Sequence, residues 1–470
     1  NGDDDIVSGS GAITITADRL TLVTGNITSS GGALILQPNA VAETIGLGNS
    51  STGGFNLNAT EAGLLSDGFS SITIGRTGDG TGAVDIDAVT FTDNVVIAGG
   101  AIAVTGLNAG ANTVNLAARG ATAITDGDNS TTLDITGTTV TLTAATGIGA
   151  TGANASIEVN ATTISATNAT SGGIFLNDLG TGGVAVTANA QTAGALEILG
   201  ATEAVTLTNL DTANGAILVS LTGQNIVASD VVAGGSNNIV LTTLSSGTIT
   251  LGTVTAAGDT IDVNSITTVV EASGDITATT LDIAAAGTVG LVGTPLTTTV
   301  TNLIATTSAG GIFVTESDTL VVAGAGVQVT SGSGNIVLIV TLGNLTLTDD
   351  ITANSSGNVT LTLSGTDAVL ATGNGDDDIV SGSGAITITA DALTLVTGNI
   401  TSSGGALILQ PNAVAETIGV GGGGGDFNLD DTEIGLLSDG FSSITIGRTN
   451  GTGAIDIGST TFTDPVTIQS

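Results

Sequence analysis

The sequence predicts an all-β fold, a parallel β-helix or β-solenoid that forms an elongated rod. Three observations predict it. Short runs of alternating Val, Ile, Leu and Thr recur along the chain, Gly, Asn, Asp and Ser interrupt them, and related runs return at intervals of about 20 to 27 residues. Branched side chains suit the pleated surface of a strand. A string of β-sandwich domains is the alternative, and it predicts antiparallel hairpins and domain boundaries.

The composition fits strands that enclose a narrow interior. The chain has 470 residues, with 72 Gly, 4 Pro and 8 Phe, and it has no Trp, Tyr, Met, Cys or His. Hydrophobic residues make up 41% of it, which excludes an intrinsically disordered tract. The length exceeds what one compact core usually holds, so several domains or an elongated array are expected. Without Cys, a disulfide scaffold and thiol chemistry are excluded, and the redox compartment stays open.

A long internal repeat organises the chain. Residues 1–46 return as residues 374–419, with Ala392 in place of Arg19. Residues 64–77 return as 436–449, and residues 90–97 return more loosely as 461–468. We therefore expect a tandem unit of about 373 residues within a longer array. One continuous solenoid over residues 1–470 is predicted, without a clear linker, in which 1–98 is repeated at 374–470 and 99–373 forms diverged turns.

The first strands are predicted from alternation of aliphatic residues and threonine. Residues 10–17, 20–23 and 33–37 read as strands separated by small polar corners. One face of the first two carries the aliphatic side chains of Ile13, Ile15, Leu20 and Leu22. A short helical turn is predicted only at residues 64–69.

The middle of the chain repeats the same pattern with diverged residues. Three related runs place their first aliphatic residue at Ile336, Val359 and Ile386, with spacings of 23 and 27 residues. In a solenoid these positions belong to successive turns, which pair as parallel strands. One turn cannot bury its own inner face, so stacking is obligatory.

Charge restricts the partners. The chain has 42 Asp and Glu residues against 4 Arg and Lys, and a formal net charge of −38. Nucleic acid and anionic membrane surfaces are therefore excluded as partners, whereas divalent cations are attracted. No apolar run has the length of a membrane span, so membrane insertion is not expected.

The repeated segments resemble a known group of proteins. The phrases GFSSITIGR, GTGA(V/I)DI and TFTDPVTIQS, with the preceding ITITAD and LILQP runs, are similar to repeats of filamentous-haemagglutinin-like, β-strand-repeat exoproteins and adhesins of bacteria. The resemblance covers residues 1–98 and 374–470. It implies a right-handed parallel β-helix, secreted through an outer-membrane partner and displayed at the cell surface as a fibre. It implies no catalytic residue.

One acidic corner is a candidate calcium site. Residues 373–384, and the matching start of the chain, come close to one turn of the calcium-binding nonapeptide repeat. No cofactor is required by the sequence, and Ca²⁺ is possible here. A solvated acidic corner is the alternative interpretation. The candidate ligands are Asp376, Asp377, Asp378, Asp3, Asp4 and Asp5.

Catalysis is not expected. The pairs Asp349–Asp350 and Asp430–Asp431 could supply the two carboxylates of a glycosidase. However, the chain has no Lys or His base and no Trp or Tyr to stack on a sugar, so we predict that it is not an enzyme. Arg76 and its repeat equivalent Arg448 are expected to pair with a carboxylate on an adjoining turn.

Two functions remain open. The first is the structural shaft of an extracellular fibre, and the second is an adhesin whose loops bind a host or neighbouring cell. Binding loops are typically rich in aromatic residues, which favours the shaft. The expected partners are further copies of the same repeat, joined covalently or head to tail. Lateral association at low pH and glycan on Asn-x-Ser/Thr or Thr residues are also possible.

Overall fold

The computed structural model describes residues 5–200, 203–373, 375 and 377–470. The chain divides into two compact units, Asn1–Asn238 and Ile239–Ser470. The structure is nearly all β, with 2% helix, and its stacked parallel strands form a β-solenoid of about 21 turns. The predicted fold class is thereby confirmed.

The first unit contains one short helix, α1 (Ala59–Ala62), among its described residues. Its strands are β1 (Ile6–Ser8), β2 (Ile13–Thr16), β3 (Ile27–Ser29), β4 (Leu34–Gln37), β5 (Ile45–Leu47), β6 (Phe55–Leu57), β7 (Ile72–Gly75), β8 (Val84–Ile86), β9 (Val89–Thr90), β10 (Val95–Gly99), β11 (Ile102–Val104), β12 (Leu107–Asn108), β13 (Thr113–Ala118), β14 (Ile124–Asp126), β15 (Ile135–Thr136), β16 (Thr139–Ala144), β17 (Ile157–Asn160), β18 (Thr163–Asn168), β19 (Ile174–Asp178), β20 (Val184–Ala190), β21 (Leu196–Gly200), β22 (Val205–Thr212), β23 (Ile217–Leu221) and β24 (Ile226–Ala233).

The second unit likewise has one short helix in its described part, α2 (Asp431–Ile434). Its strands are β25 (Ile239–Thr243), β26 (Ile249–Ser265), β27 (Val269–Glu271), β28 (Ile276–Ala285), β29 (Leu296–Thr307), β30 (Ile312–Glu316), β31 (Leu320–Val329), β32 (Ile336–Val340), β33 (Leu345–Leu347), β34 (Ile351–Ala353), β35 (Val359–Leu363), β36 (Val369–Thr372), β37 (Ile379–Ser381), β38 (Ile386–Thr389), β39 (Ala392–Thr394), β40 (Ile400–Ser402), β41 (Ala406–Gln410), β42 (Ile418–Val420), β43 (Phe427–Leu429), β44 (Ser443–Gly447), β45 (Ile455–Ile457) and β46 (Val466–Gln469).

The regular turns of the first unit show how the sequence pattern becomes structure. Along β23, buried and half-buried side chains alternate, as in a strand with one face on the core. In β24 the alternation breaks at Ser229 and Asp230, where the strand turns a corner, and resumes after it. Residues 21 apart pair in register from turn to turn: Leu196 with Ile217, Val205 with Ile226 and Leu210 with Val231.

The second unit confirms the predicted alignment of turns. Ile336 pairs with Val359, and Val359 pairs with Ile386, in parallel registers that continue along each strand. All three side chains are fully buried. The ladders between the described strands are parallel, so a string of antiparallel sandwiches is excluded. The right-handed sense remains a prediction.

The two repeat copies differ at one predicted strand. Residues 20–23 do not form a strand in the first copy. In the second copy the equivalent β39 pairs with β36 of the preceding turn. This segment begins with Arg19 in the first copy and with Ala392 in the second, and it forms a strand where β36 supplies the hydrogen bonds. There the aliphatic face is also buried, at Ile386, Ile388, Leu393 and Leu395.

The prediction of a helical turn at residues 64–69 is wrong. In each copy the helix lies a few residues before the predicted position, at α1 and α2. A capping box determines where each of these helices begins. Asn58 Oδ1 accepts the Glu61 amide at 3.0 Å, and Glu61 Oε2 accepts the Asn58 amide at 3.0 Å. Asp430 and Glu433 repeat this arrangement. The helices lie in long excursions between paired strands, between β4 and β7 and between β41 and β44.

Substitution of an inward aliphatic residue tests the stacked core. Leu361 is fully buried, and it pairs with Leu338 and Ile388 of the neighbouring turns. We expect Leu361→Ala to lower the free energy of unfolding by about 2–5 kcal/mol, because it leaves a cavity between turns. Urea unfolding would measure the change. Thr360→Ala, on the outer face, is the matched control and should change stability by less than about 0.5 kcal/mol.

Candidate functional site

The predicted calcium corner divides into described and undescribed residues. Asp3, Asp4 and Asp376 lie outside the described residues. Asp5 and Asp378, which are equivalent in the two copies, make the same hydrogen bond to the next turn. Asp5 Oδ1 accepts the Asn26 amide at 2.7 Å, and Asp378 Oδ1 accepts the Asn399 amide at 2.7 Å. Both aspartates therefore serve the stacking of turns.

Asp378 is one member of a ladder of polar side chains at strand starts. Its own amide donates to Asp350 Oδ1 of the preceding turn at 2.9 Å. Asparagines do the same elsewhere. Asn335 Oδ1 accepts the Asn358 amide at 2.9 Å, and Asn358 Oδ1 accepts the Ala385 amide at 2.8 Å. This explains the recurrence of Asn and Asp just before the aliphatic runs.

Asp377 differs from its neighbour. It is buried, and its Oδ2 accepts no hydrogen bond from the described residues. The structure does not place it in a described group of three carboxylates with the spacing of metal ligands. A calcium ion at this corner remains a prediction.

Three other carboxylates come together in the first unit. Asp126, Asp134 and Glu158, here called the Asp126 cluster, each contribute one carboxylate oxygen to a group in which all lie within 4.8 Å of one another. All three residues are buried. Asp126 ends strand β14, Asp134 immediately precedes β15, and an exposed polar loop, residues 127–133, joins the two.

Strand register places Glu158 in this group. Ile135 pairs with Val159, so Asp134 lies beside Glu158 of the next turn. The Glu158 amide donates to Asp134 Oδ2 at 3.1 Å, and the Asp134 amide donates to the Glu158 carbonyl at 3.1 Å. Ser156 Oγ donates to Glu158 Oε1 at 3.1 Å. The amide, the carbonyl and one carboxylate oxygen of Glu158 are therefore each fixed by a hydrogen bond.

Burial makes the ionised forms of these carboxyl groups unfavourable. It raises the pKa of Asp134 to about 8, and the negative charges of Asp126 and Glu158 add to the effect. Burial raises the pKa of Glu158, side-chain hydrogen bonds from Asn177, Ser156 and Asp134 oppose this rise, and the charge of Asp126 adds to it. Burial also raises the pKa of Asp126, with a contribution from Asp128. Such a cluster can share protons or bind a cation.

A second buried acidic pair lies further along the first unit. Asp178 Oδ1 accepts the Gly180 amide at 3.2 Å, and Glu203 Oε2 accepts the Gly183 amide. Both carboxylates are buried. Burial, together with the neighbouring Glu203, raises the pKa of Asp178 to about 8. Asp178 is therefore protonated over most of the neutral range.

Glu316 shows how a buried carboxylate is accommodated without a partner charge. Its Oε2 accepts the Thr298 hydroxyl at 2.7 Å and the Val300 amide at 3.1 Å. Its Oε1 accepts the Ser317 amide at 2.9 Å and the Asp318 amide at 3.2 Å. Burial still raises its pKa. Its hydrogen-bonding capacity is nevertheless satisfied by the protein.

The sequence predicted that Arg76 pairs with a carboxylate on an adjoining turn, and the structure shows a different partner. Its Nε and Nη2 bind Asp79, three residues along the same loop, at 2.7 and 2.8 Å. The adjoining turn supplies carbonyl oxygens instead: Nη1 lies 3.4 Å from Pro38 O and 3.5 Å from Asn39 O. The predicted partner is wrong because the loop that follows Arg76 places the carboxylate of Asp79 beside the Arg76 guanidinium.

Arg448 makes the same contacts with carbonyl oxygens as Arg76, but it binds an asparagine where Arg76 binds Asp79. Its Nη1 donates to Pro411 O at 3.0 Å and to Asn412 O at 3.2 Å. The shorter loop of this copy places Asn450 where Asp79 lies in the first copy, and Nε donates to Asn450 Oδ1 at 3.2 Å. The carbonyl contacts are therefore the shared structural role of both arginines.

The acidic pairs considered for catalysis have structural partners. Asp430 caps helix α2 by accepting the Thr432 and Glu433 amides at 2.7 and 2.9 Å. Asp350 accepts the amide of Asp378. These contacts account for one member of each pair.

Sequence reasoning missed the Asp126 cluster. A local signal exists, because residues 126–134 read DGDNSTTLD and place oxygen-bearing side chains at alternate positions between two aspartates. Glu158 carries no such signal. It lies 24 residues after Asp134, and only the length of that turn brings the two together.

Comparison of the chain with protein-family models, curated proteins and solved structures gives no match. In the described ranges, the two helices have four residues each and cannot cross a membrane.

The pH dependence of stability tests the raised pKa of Asp178. Its folded pKa of about 8 lies above its unfolded value of 3.8. Its stabilising contribution is therefore complete below pH about 4, and it is lost as the pH rises through about 8. We expect Asp178→Asn to remove this loss and to raise stability at pH 9 by about 1–3 kcal/mol relative to the wild type.

Urea unfolding between pH 5 and pH 9 would measure the Asp178 effect. The exposed Asp439→Asn variant is the control for a general change in charge. Equal pH slopes for the wild type and Asp178→Asn would contradict the assignment.

Proposed function

We propose that the chain is a structural shaft segment of an extracellular filament, in which tandem β-solenoid repeats stack on one another. The β-solenoid fold and the internal repeat support this proposal. In such an assembly the function of the chain is mechanical: hydrogen-bonded turns carry load along the stack. The proposed location at the cell surface rests on the resemblance of the repeated segments to surface exoproteins.

The observation that carries the proposal is the burial of repeat strands by neighbouring turns within the chain. In the first copy, Val84 and Ile86 of β8 are buried, because β11 pairs with this strand in register. In the second copy, the equivalent Ile455 and Ile457 of β45 are 37% and 56% exposed. Burial of these inward residues therefore depends on the next turn of the stack.

The other end of the repeat shows the complementary difference. Ile6 and Val7 of β1 are 42% and 70% exposed. Their equivalent β37 in the second copy is paired with β34, and Ile379 is fully buried. In both segments the inward aliphatic residues are thus buried by a neighbouring turn of the same stack, in β8 by β11 and in β37 by β34. We infer that further copies of the repeat are the partners of the shaft, because the start of the second copy pairs in register with the preceding turn.

The distribution of aromatic side chains favours the shaft over the adhesin. All eight Phe residues lie in the described ranges, and none of them is exposed. Binding hot spots usually require exposed aromatic side chains or Arg. The loops thus lack the residues that typically anchor a protein partner.

Extension of the chain tests the proposed stacking. We would add residues 100–127 directly after Ser470, which continues the register of the repeat. Because the added turn pairs with β45 and β46, amide exchange in these strands should slow at least about tenfold. Hydrogen-exchange mass spectrometry would measure the protection. A matched extension with Asn at the four inward positions equivalent to Ile102, Val104, Val114 and Leu116 is the control.

Equal exchange in the chain with the native extension and in the control would contradict the shaft proposal. The edges would then not be surfaces for another turn of this repeat.

Charge also predicts how separate shafts behave. At pH 7 the net charge of −38 keeps them apart. We expect lateral association as the pH falls from 7 to 3, because protonation of carboxylates removes most of this repulsion. Light scattering would detect it, and high salt at pH 7 should give a weaker response by screening. Unchanged scattering at pH 3 would exclude charge as the barrier to bundling.

A further inference from the structure

The Asp126 cluster is built differently from the other buried acidic groups of the first unit. Its three carboxylates come from two successive turns and have exposed fractions of 7% for Asp126, 1% for Asp134 and 0% for Glu158. One oxygen from each lies within 4.8 Å of the others. Three negative groups at this separation repel one another strongly in a buried environment.

Hydrogen-bond donors reach only one oxygen of each carboxylate in the cluster. One oxygen of each carboxylate accepts no hydrogen bond from the part of the chain that the structure describes: Asp126 Oδ2, Asp134 Oδ1 and Glu158 Oε2. Glu316, by contrast, uses both oxygens with hydroxyl and amide donors. A buried acceptor without a donor costs about 1–3 kcal/mol. A single partner that binds all three of these oxygens would remove this cost.

Within the described residues the one ion pair joins Arg76 to Asp79, so none of the four arginines pairs with the cluster. The hydrogen bonds of Arg76, Arg119 and Arg448 go to other loops. The charges acting on the three carboxyl groups come from further acidic residues. A positive partner must therefore come from solution.

We propose that the Asp126 cluster binds one Ca²⁺ ion that joins two successive turns of the solenoid. Ca²⁺ is coordinated by oxygen ligands at about 2.3–2.6 Å, so two of its ligands can be separated by up to about 5 Å. The observed spread of the three oxygens lies inside this limit. Loop residues 127–133 and water provide further oxygen atoms beside the cluster. Ca²⁺ also tolerates irregular geometry, whereas Mg²⁺ requires near-octahedral ligands.

The ion stabilises the folded chain, because the site forms only when the two turns are stacked. Glu158 lies 24 residues from Asp134, and an unfolded chain does not hold these groups together. Calcium binding is therefore coupled to folding of this region. The inference does not depend on the shaft function.

The experiment uses the full chain, freed of metal with EDTA and dialysed into 150 mM NaCl at pH 7. Titration calorimetry with CaCl₂ should show a tight site above weak binding to the acidic surface, which the salt screens. Hydrogen exchange should show calcium-dependent protection of residues 127–133 and 157–159. We expect Glu158→Gln and Asp134→Asn each to weaken the tight site at least about tenfold and to remove the protection.

Two features of the experiment distinguish loss of calcium binding from loss of folding. Gln and Asn conserve shape and remove a repelling charge, so the metal-free variants should unfold at the same temperature as the metal-free wild type or higher. Glu316→Gln is the matched control at a buried, donor-satisfied carboxylate, and it should retain the tight site. Both results would support the proposal.

Several outcomes would overturn the proposal. Equal calcium affinity and protection in Glu158→Gln and the wild type would place the ion elsewhere. An equal response to Mg²⁺ would contradict the assignment to calcium. Absence of any cation effect, with stability that rises as the pH falls, would show that shared protons neutralise the cluster.

Discussion

In-register stacking of parallel strands is the constraint on which the structure depends. A turn of about 21 residues has a single inward row of Val, Ile, Leu and Ala on each face, and it cannot remove that row from water alone. The turns above and below complete the burial and satisfy the backbone amides and carbonyls. Each fully buried aliphatic side chain contributes about 1.5–3 kcal/mol. The stabilising contacts therefore lie between turns.

Stacking also brings like polar groups together, with different consequences for amides and carboxylates. Asn335 and Asn358 each accept the amide of the next turn and form a ladder at no electrostatic cost. Carboxylates in the same arrangement repel one another. The chain deals with buried acidic groups in different ways: Glu316 receives several donors, and Asp178 keeps its proton because its pKa is raised. The Asp126 cluster differs because it brings together three carboxylates, each with one oxygen that accepts no hydrogen bond from the described residues.

Several details of the structure follow from contacts that the alternation of aliphatic residues does not reveal. Arg76 binds Asp79 within one loop, and the shorter loop around Arg448 offers Asn450 instead. The short helices are explained by local capping at Asn58 and Asp430, so their position was in principle readable from the sequence. The residues of β39 form a strand because β36 pairs with them. In the first copy the equivalent residues have no strand.

The sequence by itself determined the fold class and the alignment of turns, because period-two alternation and a recurring spacing follow directly from strand geometry and stacking. It correctly aligned Ile336, Val359 and Ile386. It did not reveal the Asp126 cluster, although the aspartates at 126 and 134 flank a visibly polar loop. Only the tertiary structure decided which glutamate completes that group, since the length of each turn and the strand register set which distant residues become neighbours. Burial, which raises the pKa of these carboxyl groups, is likewise a property of the stacked turns and of no single segment.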